Sequence, residues 1–193
     1  MQFIKNCLGQ SHEIVERIVK EGDTVVDATA GNGNDTVFLA KLAGESGKVY
    51  AFDIQERALS KTKEKLEDQG IAHRVELIRD GHENMGKYIS GPVSVVMFNL
   101  GYLPGGDHSI CTRFETTKSA VEAAMGLLKK NGLIVMVVYY GGDSGFEEKD
   151  ALMDYIKTID YKKYSVLKSE FVNQPNCPPL LVIIEKIYSD NEP

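Results

Sequence analysis

The sequence predicts a doubly wound, Rossmann-like α/β fold whose seven-stranded, mostly parallel sheet ends in an antiparallel hairpin. Short apolar runs alternate with amphipathic stretches along most of the 193 residues, and that alternation is typical of βαβ units. After the last amphipathic stretch, two strand-like runs follow each other with no helix between them. The alternation therefore predicts the parallel sheet, and the final pair of runs predicts the hairpin.

Five apolar runs are predicted to form the parallel strands. They are too apolar for a sheet with one face in water, so we expect helices to cover both faces. The five runs are Thr24–Asp27, Lys48–Asp53, Val75–Arg79, Val93–Asn99 and Leu133–Val138.

Six amphipathic stretches are predicted to form helices. They are Ser11–Lys20, Asp35–Ala43, Glu56–Gln69, Glu83–Ile89, Arg113–Lys130 and Phe146–Ile159. The first of them carries its apolar residues on one face, so we expect it to pack on the core. Capping boxes at Thr112-x-x-Glu115 and Ser144-x-x-Glu147 are predicted to open the last two helices.

The terminal hairpin is predicted from Tyr164–Val172 and Leu180–Ile187, which are joined by Asn173–Pro179. This link is short, rich in proline and has no helical pattern. A parallel crossover needs a longer connection, so we expect the two strands to pair antiparallel.

The composition indicates one compact domain over residues 1–193, with no dedicated surface for coating nucleic acid. A net charge of −6 and a pI near 5.3 argue against a global positive field, although local lysine clusters remain. The three cysteines form no C-x-x-C pair, which supports neither a disulfide framework nor a metal site. No signal peptide or stretch of about 20 apolar residues is present, so we expect a cytoplasmic protein with no membrane partner.

The most informative local pattern is the turn after the first strand, where Asp27 is followed by Gly31-Asn32-Gly33. Glycines at this position let the backbone turn sharply and approach a ligand closely. Asp53 ends the next strand, where its carboxylate can accept hydrogen bonds from both hydroxyls of a ribose. This combination predicts a nucleotide site.

The residues after the glycines favour S-adenosylmethionine over NAD. In the dinucleotide fingerprint a third small residue follows at the position of Thr36, and the helix start binds pyrophosphate. Here Asn34-Asp35 opens the helix, and a carboxylate there repels a pyrophosphate but attracts an ammonium or sulfonium. Asp27 indicates the same preference. For Asp35 alone, a favourable interaction with the helix dipole explains the residue equally well.

The end of the third strand, Asp80-Gly81-His82, is a further candidate for the cofactor site. Asp80 can accept from an adenine amino group, or it can cap the helix that follows. His82 can stack on the cofactor or bind it by a hydrogen bond, or it can serve the structure alone.

The acceptor of the reaction is expected beside Asn99, at the end of the fourth strand. The Asn99-x-x-Tyr102 spacing resembles the Asn-Pro-Pro-Tyr element of amino methyltransferases, in which a carbonyl accepts from the target amine and the aromatic ring packs on a base. Such contacts orient the nitrogen toward the methyl group. Asp107 can attract or deprotonate an ammonium substrate, whereas His108 is better explained as part of a polar turn. Tyr139-Tyr140-Gly141-Gly142 can form another wall.

Four segments together resemble one family of small bacterial proteins, long labelled rRNA methylases, and within it the MnmM (YtqB-type) tRNA methyltransferases. The segments are Asp27–Thr36, Asp80–His82, Asn99–Asp107 and Asn173–Leu180. The Asn-Leu-Gly-Tyr-Leu-Pro-Gly-Gly-Asp string is the most specific of them, and the likeness covers nearly the whole chain. Gly142 stands near a position where some members carry a histidine.

The resemblance implies methylation of the amine of 5-aminomethyl-2-thiouridine at the tRNA wobble position, with the anticodon stem-loop as partner. It places Asn99, Tyr102 and Asp107 at the transferred methyl. With the turn residues already named, the predicted cofactor site is Asp27, Gly31, Asn32, Gly33, Asn34, Asp35, Asp53, Gln55, Asp80 and His82. An rRNA or small-molecule methyltransferase, a binding module without turnover and a homodimer all remain open.

Overall fold

A computed structural model describes residues 3–101 and 113–188, without the side chains of residues 142–144. The strands in these ranges are β1 (Thr24–Asp27), β2 (Lys48–Phe52), β3 (Val75–Ile78), β4 (Val93–Leu100), β5 (Leu128–Val138), β6 (Tyr164–Ser169) and β7 (Leu180–Lys186). The helices are α1 (Cys7–Ile18), α2 (Asn34–Ala43), α3 (Glu56–Asp68), α4 (Phe114–Leu127) and α5 (Gly142–Ile156). Two 3₁₀ segments, Ala72–Arg74 and His82–Lys87, flank β3.

The described strands form one seven-stranded sheet in the order β3-β2-β1-β4-β5-β7-β6. The pairs from β3 to β5 are parallel, whereas β7 pairs antiparallel with both β5 and β6. The predicted mostly parallel sheet and its antiparallel terminal hairpin are confirmed. The strand order reverses between β1 and β4, and open α/β sheets bind ligands beside that reversal, at the carboxyl ends of the strands.

Helices cover both faces of the sheet, because alternate residues of each central strand point to opposite sides. On one face, Val95 and Met97 of β4 belong to a core cluster that includes residues of α1, α2 and α3. On the other face, Val96 and Phe98 belong to a cluster with residues of α4, α5 and the second 3₁₀ segment. Helix α1 packs against β5, β7 and β4. None of the helices in the described ranges is long and apolar enough to cross a membrane.

Some predicted boundaries were wrong at helix starts. Helix α1 begins at Cys7 rather than Ser11, because the side chain of Asn6 caps it and accepts from the backbone N–H of Gly9 at 2.8 Å. Helix α5 begins at Gly142 rather than Phe146, which puts Ser144 inside the helix and not at its cap. Thr112, the first residue of the other predicted capping box, lies outside the described residues.

Two other predicted helical stretches were also corrected. The stretch predicted as a helix over Glu83–Ile89 is a 3₁₀ segment over His82–Lys87. Strand β5 begins at Leu128, inside the predicted helix Arg113–Lys130 and ahead of the predicted strand start at Leu133. The added part of β5 lies at a register shift, because Leu128 pairs with Val93 and Leu133 pairs with Val95 of β4. Residues 129–132 between them are polar or glycine, so this part lacks the apolar run by which a strand is recognised.

Candidate functional site

The loop after β1 is hydrogen-bonded to the carboxyl ends of the neighbouring strands, which gathers their polar residues into one site. The backbone N–H of Ala30 donates to the carbonyl of Phe52 in β2 at 2.8 Å, and that of Ala28 donates to Met97 in β4 at 2.8 Å. The carbonyl of Ala28 accepts from His82 Nδ1, after β3, at 3.1 Å. The predicted convergence of three strand ends is therefore present.

The glycine turn is pressed against α3. Gly31 and Gly33 have φ of 52° and 78°, which an L side chain rarely adopts. A Cβ at Gly33 would lie 2.9 Å from Thr62 Oγ1 and 3.0 Å from Thr62 Cα, and a helix backbone cannot give way as a flexible side chain can. The hydroxyl of Thr62 donates to the carbonyl of Gly31 at 3.1 Å. Helix α3 therefore fixes the backbone cradle of the turn, and it occupies the side of Gly33 where a Cβ would lie.

Asp53 is positioned by two backbone N–H groups. Gly31 donates to its Oδ2 and Gln55 donates to its Oδ1, both at 2.9 Å. Each carboxylate oxygen has a second lone pair, so the group can still accept two hydroxyls. The fixed carboxylate beside the cradle suits the diol of a ribose. For Gln55, the described contact is made by the backbone, and no side-chain cap bond forms at this helix start.

Asp27 lies beneath the turn. It is fully buried, its Oδ2 accepts from the Thr36 hydroxyl at 2.6 Å, and its Oδ1 accepts from the Thr29 backbone N–H at 3.1 Å. Burial first, and then the charge of Asp35, raise the pKa of Asp27 to about 7. These contacts lie within the protein, so the geometry gives Asp27 the task of shaping the turn from below.

The two asparagines of the turn lie on the side of α3. Lys65 Nζ donates to the carbonyl of Asn32 and to Asn34 Oδ1, both at 2.7 Å. Lys61 Nζ reaches Asn32 Oδ1 at 3.5 Å. Asn34 is exposed and is directed away from its neighbour Asp35, which points to the other side of α2. The structure thus separates Asn34 from the acidic part of the predicted cofactor site.

Asp80 is held by its own segment. Its Oδ1 accepts from the Gly81 backbone N–H at 2.7 Å and from Asn84 Nδ2 at 2.8 Å, and its Oδ2 accepts from the Tyr88 hydroxyl at 2.8 Å. These hydrogen bonds, that from Tyr88 first, lower the pKa of Asp80. The contacts fit the capping explanation and still leave an acceptor lone pair on Oδ2.

His82 is a buried connection between β3 and β1. Besides its bond to Ala28, its ring meets Phe98 edge-on with centroids 5.5 Å apart. Burial lowers the pKa of His82, so the neutral imidazole is favoured. Its described contacts are those of a structural histidine under the cofactor loop.

The end of β4 carries the most unusual cluster, formed by His12, Asp35 and Asn99. Asp35 is only 5% exposed. Its Oδ1 accepts from His12 Nε2 at 2.6 Å, and its Oδ2 accepts from Asn99 Nδ2. The Asn99 backbone N–H also donates to Thr29 Oγ1 at 2.7 Å. The predicted cofactor residue Asp35 and the predicted catalytic residue Asn99 are thus in direct contact.

Tyr139 follows β5 on the same edge of the sheet and is 46% exposed. Burial, and after it the charge of Asp35, raise the pKa of its hydroxyl. Its backbone N–H donates to the carbonyl of Leu100 at 2.9 Å. A half-exposed ring beside the acidic cluster agrees with the expected second wall of the pocket.

His12, Thr29 and Thr36 are site residues that the sequence did not reveal. His12 lies in the first predicted helix between Ser11 and Glu13, so the local pattern does not distinguish it from an exposed polar residue. Thr29 and Thr36 belong to the recognised loop, where a hydroxyl can reach either backbone or side chains. Tyr102, Asp107 and His108 lie outside the described residues.

The donor set fits S-adenosylmethionine. A glycine turn, a fixed carboxylate that can accept from a ribose diol and a buried acid that can attract a cationic group lie along one edge of the sheet. Within residues 3–101 and 113–188, no three His, Cys, Asp or Glu side chains are grouped so as to hold a metal ion.

Comparison with known proteins places these features in a family. A family model described as "Putative rRNA methylase" matches residues 49–185. A relative from Arabidopsis thaliana, named tRNA (mnm(5)s(2)U34)-methyltransferase, chloroplastic, is 38% identical over 193 residues, which cover 94% of this chain and 70% of the relative.

Two solved structures are similar over nearly the whole chain. An rRNA-methylase structure from Clostridium thermocellum is 60% identical with a TM-score of 0.95, over 96% of this chain and 100% of that chain. A methyltransferase structure from Streptococcus mutans in complex with SAH is 42% identical with a TM-score of 0.88, again over 96% and 100%. In that relative the methyltransferase fold holds the demethylated form of the cofactor.

Proposed function

This chain belongs to the rRNA methylase family and is an S-adenosylmethionine-dependent methyltransferase, and from that premise we propose that it methylates the amine of 5-aminomethyl-(2-thio)uridine at the wobble position of tRNA. The anticodon stem-loop is the proposed partner. The 38% identical relative carries the name of a methyltransferase for that position, and a wobble base can be presented unstacked to an enzyme pocket.

The observation that carries this proposal is the orientation of Asn99. Its Nδ2 donates to Asp35, so Oδ1, at the other end of the planar amide, is the end that can accept a hydrogen from an incoming amine. An amine that donates to Oδ1 keeps its lone pair for bond formation. The arrangement therefore suits a nitrogen acceptor.

The chain's own residues would supply binding and orientation. S-adenosylmethionine supplies a methyl group that its sulfonium already activates, so a neutral amine needs no covalent catalysis by the protein. The Gly31–Gly33 turn and Asp53 would hold the nucleoside part, and Asp35 would attract positive charge. Thr29 holds the backbone of Asn99, which keeps the acceptor end of the amide in place. Tyr102 and Asp107 are proposed to complete the acceptor side.

We propose further that residues 1–193 act as one catalytic domain in the cytoplasm. The sheet that carries the site extends from Thr24 to Lys186, and α1 adds His12 to the same site. Both observations support a single catalytic unit.

The test uses purified protein, labelled S-adenosylmethionine and a synthetic anticodon stem-loop with 5-aminomethyl-2-thiouridine at the wobble position. We expect label in the RNA and a methylated amine in its nucleosides by mass spectrometry. The Asn99→Ala variant should bind S-adenosylhomocysteine as the wild type does and lose about 100-fold in methyl transfer, because the amine is no longer oriented.

Matched acceptors decide between the alternatives. A stem-loop with unmodified uridine should remain unlabelled, because it carries no amine. Label in ribosomal RNA fragments but none in the aminomethyl stem-loop would overturn the tRNA proposal and favour the activity that the family description names. Unchanged turnover in Asn99→Ala would remove Asn99 from the reaction.

A further inference from the structure

His12 reaches the site from α1, a helix that precedes the first strand of the sheet. The buried residues of α1 are Cys7, Ser11 and Val15, and this face docks the helix on the sheet. His12 lies next to that face and stacks on Phe38 of α2, with ring centroids 4.0 Å apart and planes 11° apart. The imidazole is thus held in one orientation, with Nε2 aimed at Asp35.

Asp35 has both carboxylate oxygens engaged from opposite sides. A carboxylate only accepts hydrogen bonds, so His12 Nε2 and Asn99 Nδ2 are the donors. The Asp35 side chain is 7% exposed, whereas that of His12 is 29% exposed. Water therefore has little access to the carboxylate, and the loss of one donor would leave a buried oxygen without its partner, which is unfavourable.

We propose that His12 and Asp35 are positioning residues that set the orientation of the Asn99 amide. Without the fixed carboxylate, the amide can turn over, because its two ends are nearly the same in size. Turned over, it would donate an N–H to the lone pair of the acceptor amine, and that lone pair would no longer be available to form the bond to the methyl group. His12 thereby affects methyl transfer without touching the acceptor. The link to the acceptor amine depends on the proposed function, whereas the orientation of the amide does not.

The other explanation is that the cluster only holds α1 to α2 and β4. Such a role predicts that loss of His12 lowers stability and every ligand affinity together. Positioning predicts a fall in kcat with little change in affinity for S-adenosylhomocysteine, beside the loss of stability that an unpaired Asp35 oxygen brings. The two explanations therefore differ in the ratio of the loss in kcat to the loss in S-adenosylhomocysteine affinity.

The kinetic test compares three variants. His12→Ala should lower kcat for the aminomethyl stem-loop about 10-fold or more, while KM for the RNA and Kd for S-adenosylhomocysteine change less than about 3-fold. His12→Gln, which keeps a side-chain N–H donor, should recover most of kcat. His73→Ala is the matched control, because His73 also pairs with a carboxylate, Glu45 at 3.0 Å, but precedes β3 at the opposite edge of the sheet. Its kcat should equal that of the wild type.

A spectroscopic readout does not need the RNA. The measurement is an NMR spectrum of the N–H groups, recorded with S-adenosylhomocysteine bound. The side-chain NH₂ signals of Asn99 are identified as the pair that is missing from the spectrum of Asn99→Ser. In His12→Ala and in Asp35→Asn this pair should shift or broaden, in His12→Gln it should return toward the wild-type position, and in His73→Ala it should stay unchanged.

An unshifted pair in His12→Ala, or a fall in kcat that is matched by an equal fold-loss in S-adenosylhomocysteine affinity, would overturn the positioning role. If the wild type leaves the stem-loop unmethylated, the proposed function is wrong, and the amide spectra still decide the orientation of Asn99.

Discussion

Asp27 is a buried residue that makes the stability of the fold depend on pH. Its pKa is raised to about 7 in the folded protein, and it is about 3.9 in an unfolded chain. Between these two values the folded state binds a proton that the unfolded state has lost. The contribution of Asp27 to stability is therefore present at low pH and is lost as pH rises through 7.

We predict that Asp27→Asn removes this dependence. The amide can keep both contacts, since its oxygen accepts from Thr29 and its NH₂ donates to the Thr36 hydroxyl. Urea unfolding at pH 5 and pH 8 should show that the wild type loses roughly 2 to 3 kcal/mol more than the variant over this interval.

His82 contributes in the opposite direction, because its lowered pKa makes the folded state lose stability below about pH 6.5. His82 is present in the wild type and in Asp27→Asn, so the difference in stability loss between these two proteins isolates the effect of Asp27. A variant that loses as much stability as the wild type from pH 5 to pH 8 would contradict the raised pKa.

Gly33 provides a second prediction at this scale. Gly33→Ala combines a φ of 78° with contacts of 2.9 to 3.0 Å to Thr62, whereas Gly70→Ala combines a φ of 69° with no heavy atom within 4 Å. We expect Gly70→Ala to cost about 1 kcal/mol for backbone strain alone, and Gly33→Ala to cost about 2 to 4 kcal/mol. The measurements are urea unfolding for both variants and S-adenosylhomocysteine titration, in which Gly33→Ala alone should bind more weakly. Equal effects of the two variants would mean that the contact with α3 is unimportant.

At the scale of elements, the strands were predictable and several ends were not. The apolar runs of β1, β2 and β4 identify strands because these strands are buried on both faces. The cap at Asn6 has no capping box, and the polar start of β5 depends on its pairing with β4. Both are decided by contacts that a local pattern does not contain.

The 3₁₀ segment after β3 yields a prediction about Asp80. Asp80→Ala removes three hydrogen bonds and any acceptor for the cofactor base, whereas Tyr88→Phe removes only one bond to the same carboxylate. If Asp80 binds the cofactor, Asp80→Ala should weaken S-adenosylhomocysteine affinity about 3- to 10-fold by calorimetry, because a charge-assisted hydrogen bond is lost. Tyr88→Phe should leave that affinity unchanged. Equal affinities in both variants would restrict Asp80 to capping.

For the molecule as a whole, a net charge of −6 means that RNA binding must depend on local cations. Arg113 is exposed at the start of α4, on the edge that carries the site, while Lys162 is exposed before β6 on the opposite edge. We expect Arg113→Glu to weaken stem-loop binding about 3- to 10-fold and to reduce the slope of log K against log salt by about 1, as loss of one phosphate contact does. Lys162→Glu, with the same charge change, should bind as the wild type does. Filter binding across a salt series measures both, and equal losses would mean that only net charge acts.

The sequence predicted the candidate site residues that stand at strand ends. It did not predict the contacts that form only when the fold brings remote segments together. The glycine turn, Asp53 and Asn99 stand at strand ends, and the rule that ligands bind at the carboxyl edge was enough to gather them. His12 enters from a helix that is outside the βαβ pattern, and its partner Asp35 was assigned to the cofactor alone. The contact between Asp35 and Asn99 joins two sites that the sequence keeps apart.

The docking of α1 has a consequence for synthesis on the ribosome. The thiol of Cys7 donates to the carbonyl of Pro179 at 2.8 Å, and α1 packs on β7, the last of the described strands in chain order. Part of the surface that holds α1, and with it His12, is therefore made only when β7 has left the exit tunnel, after the other strands that α1 contacts. A nascent chain with a complete glycine turn would lack this part of the surface that holds α1, so we expect the proposed positioning role of His12 to depend on the synthesis of β7.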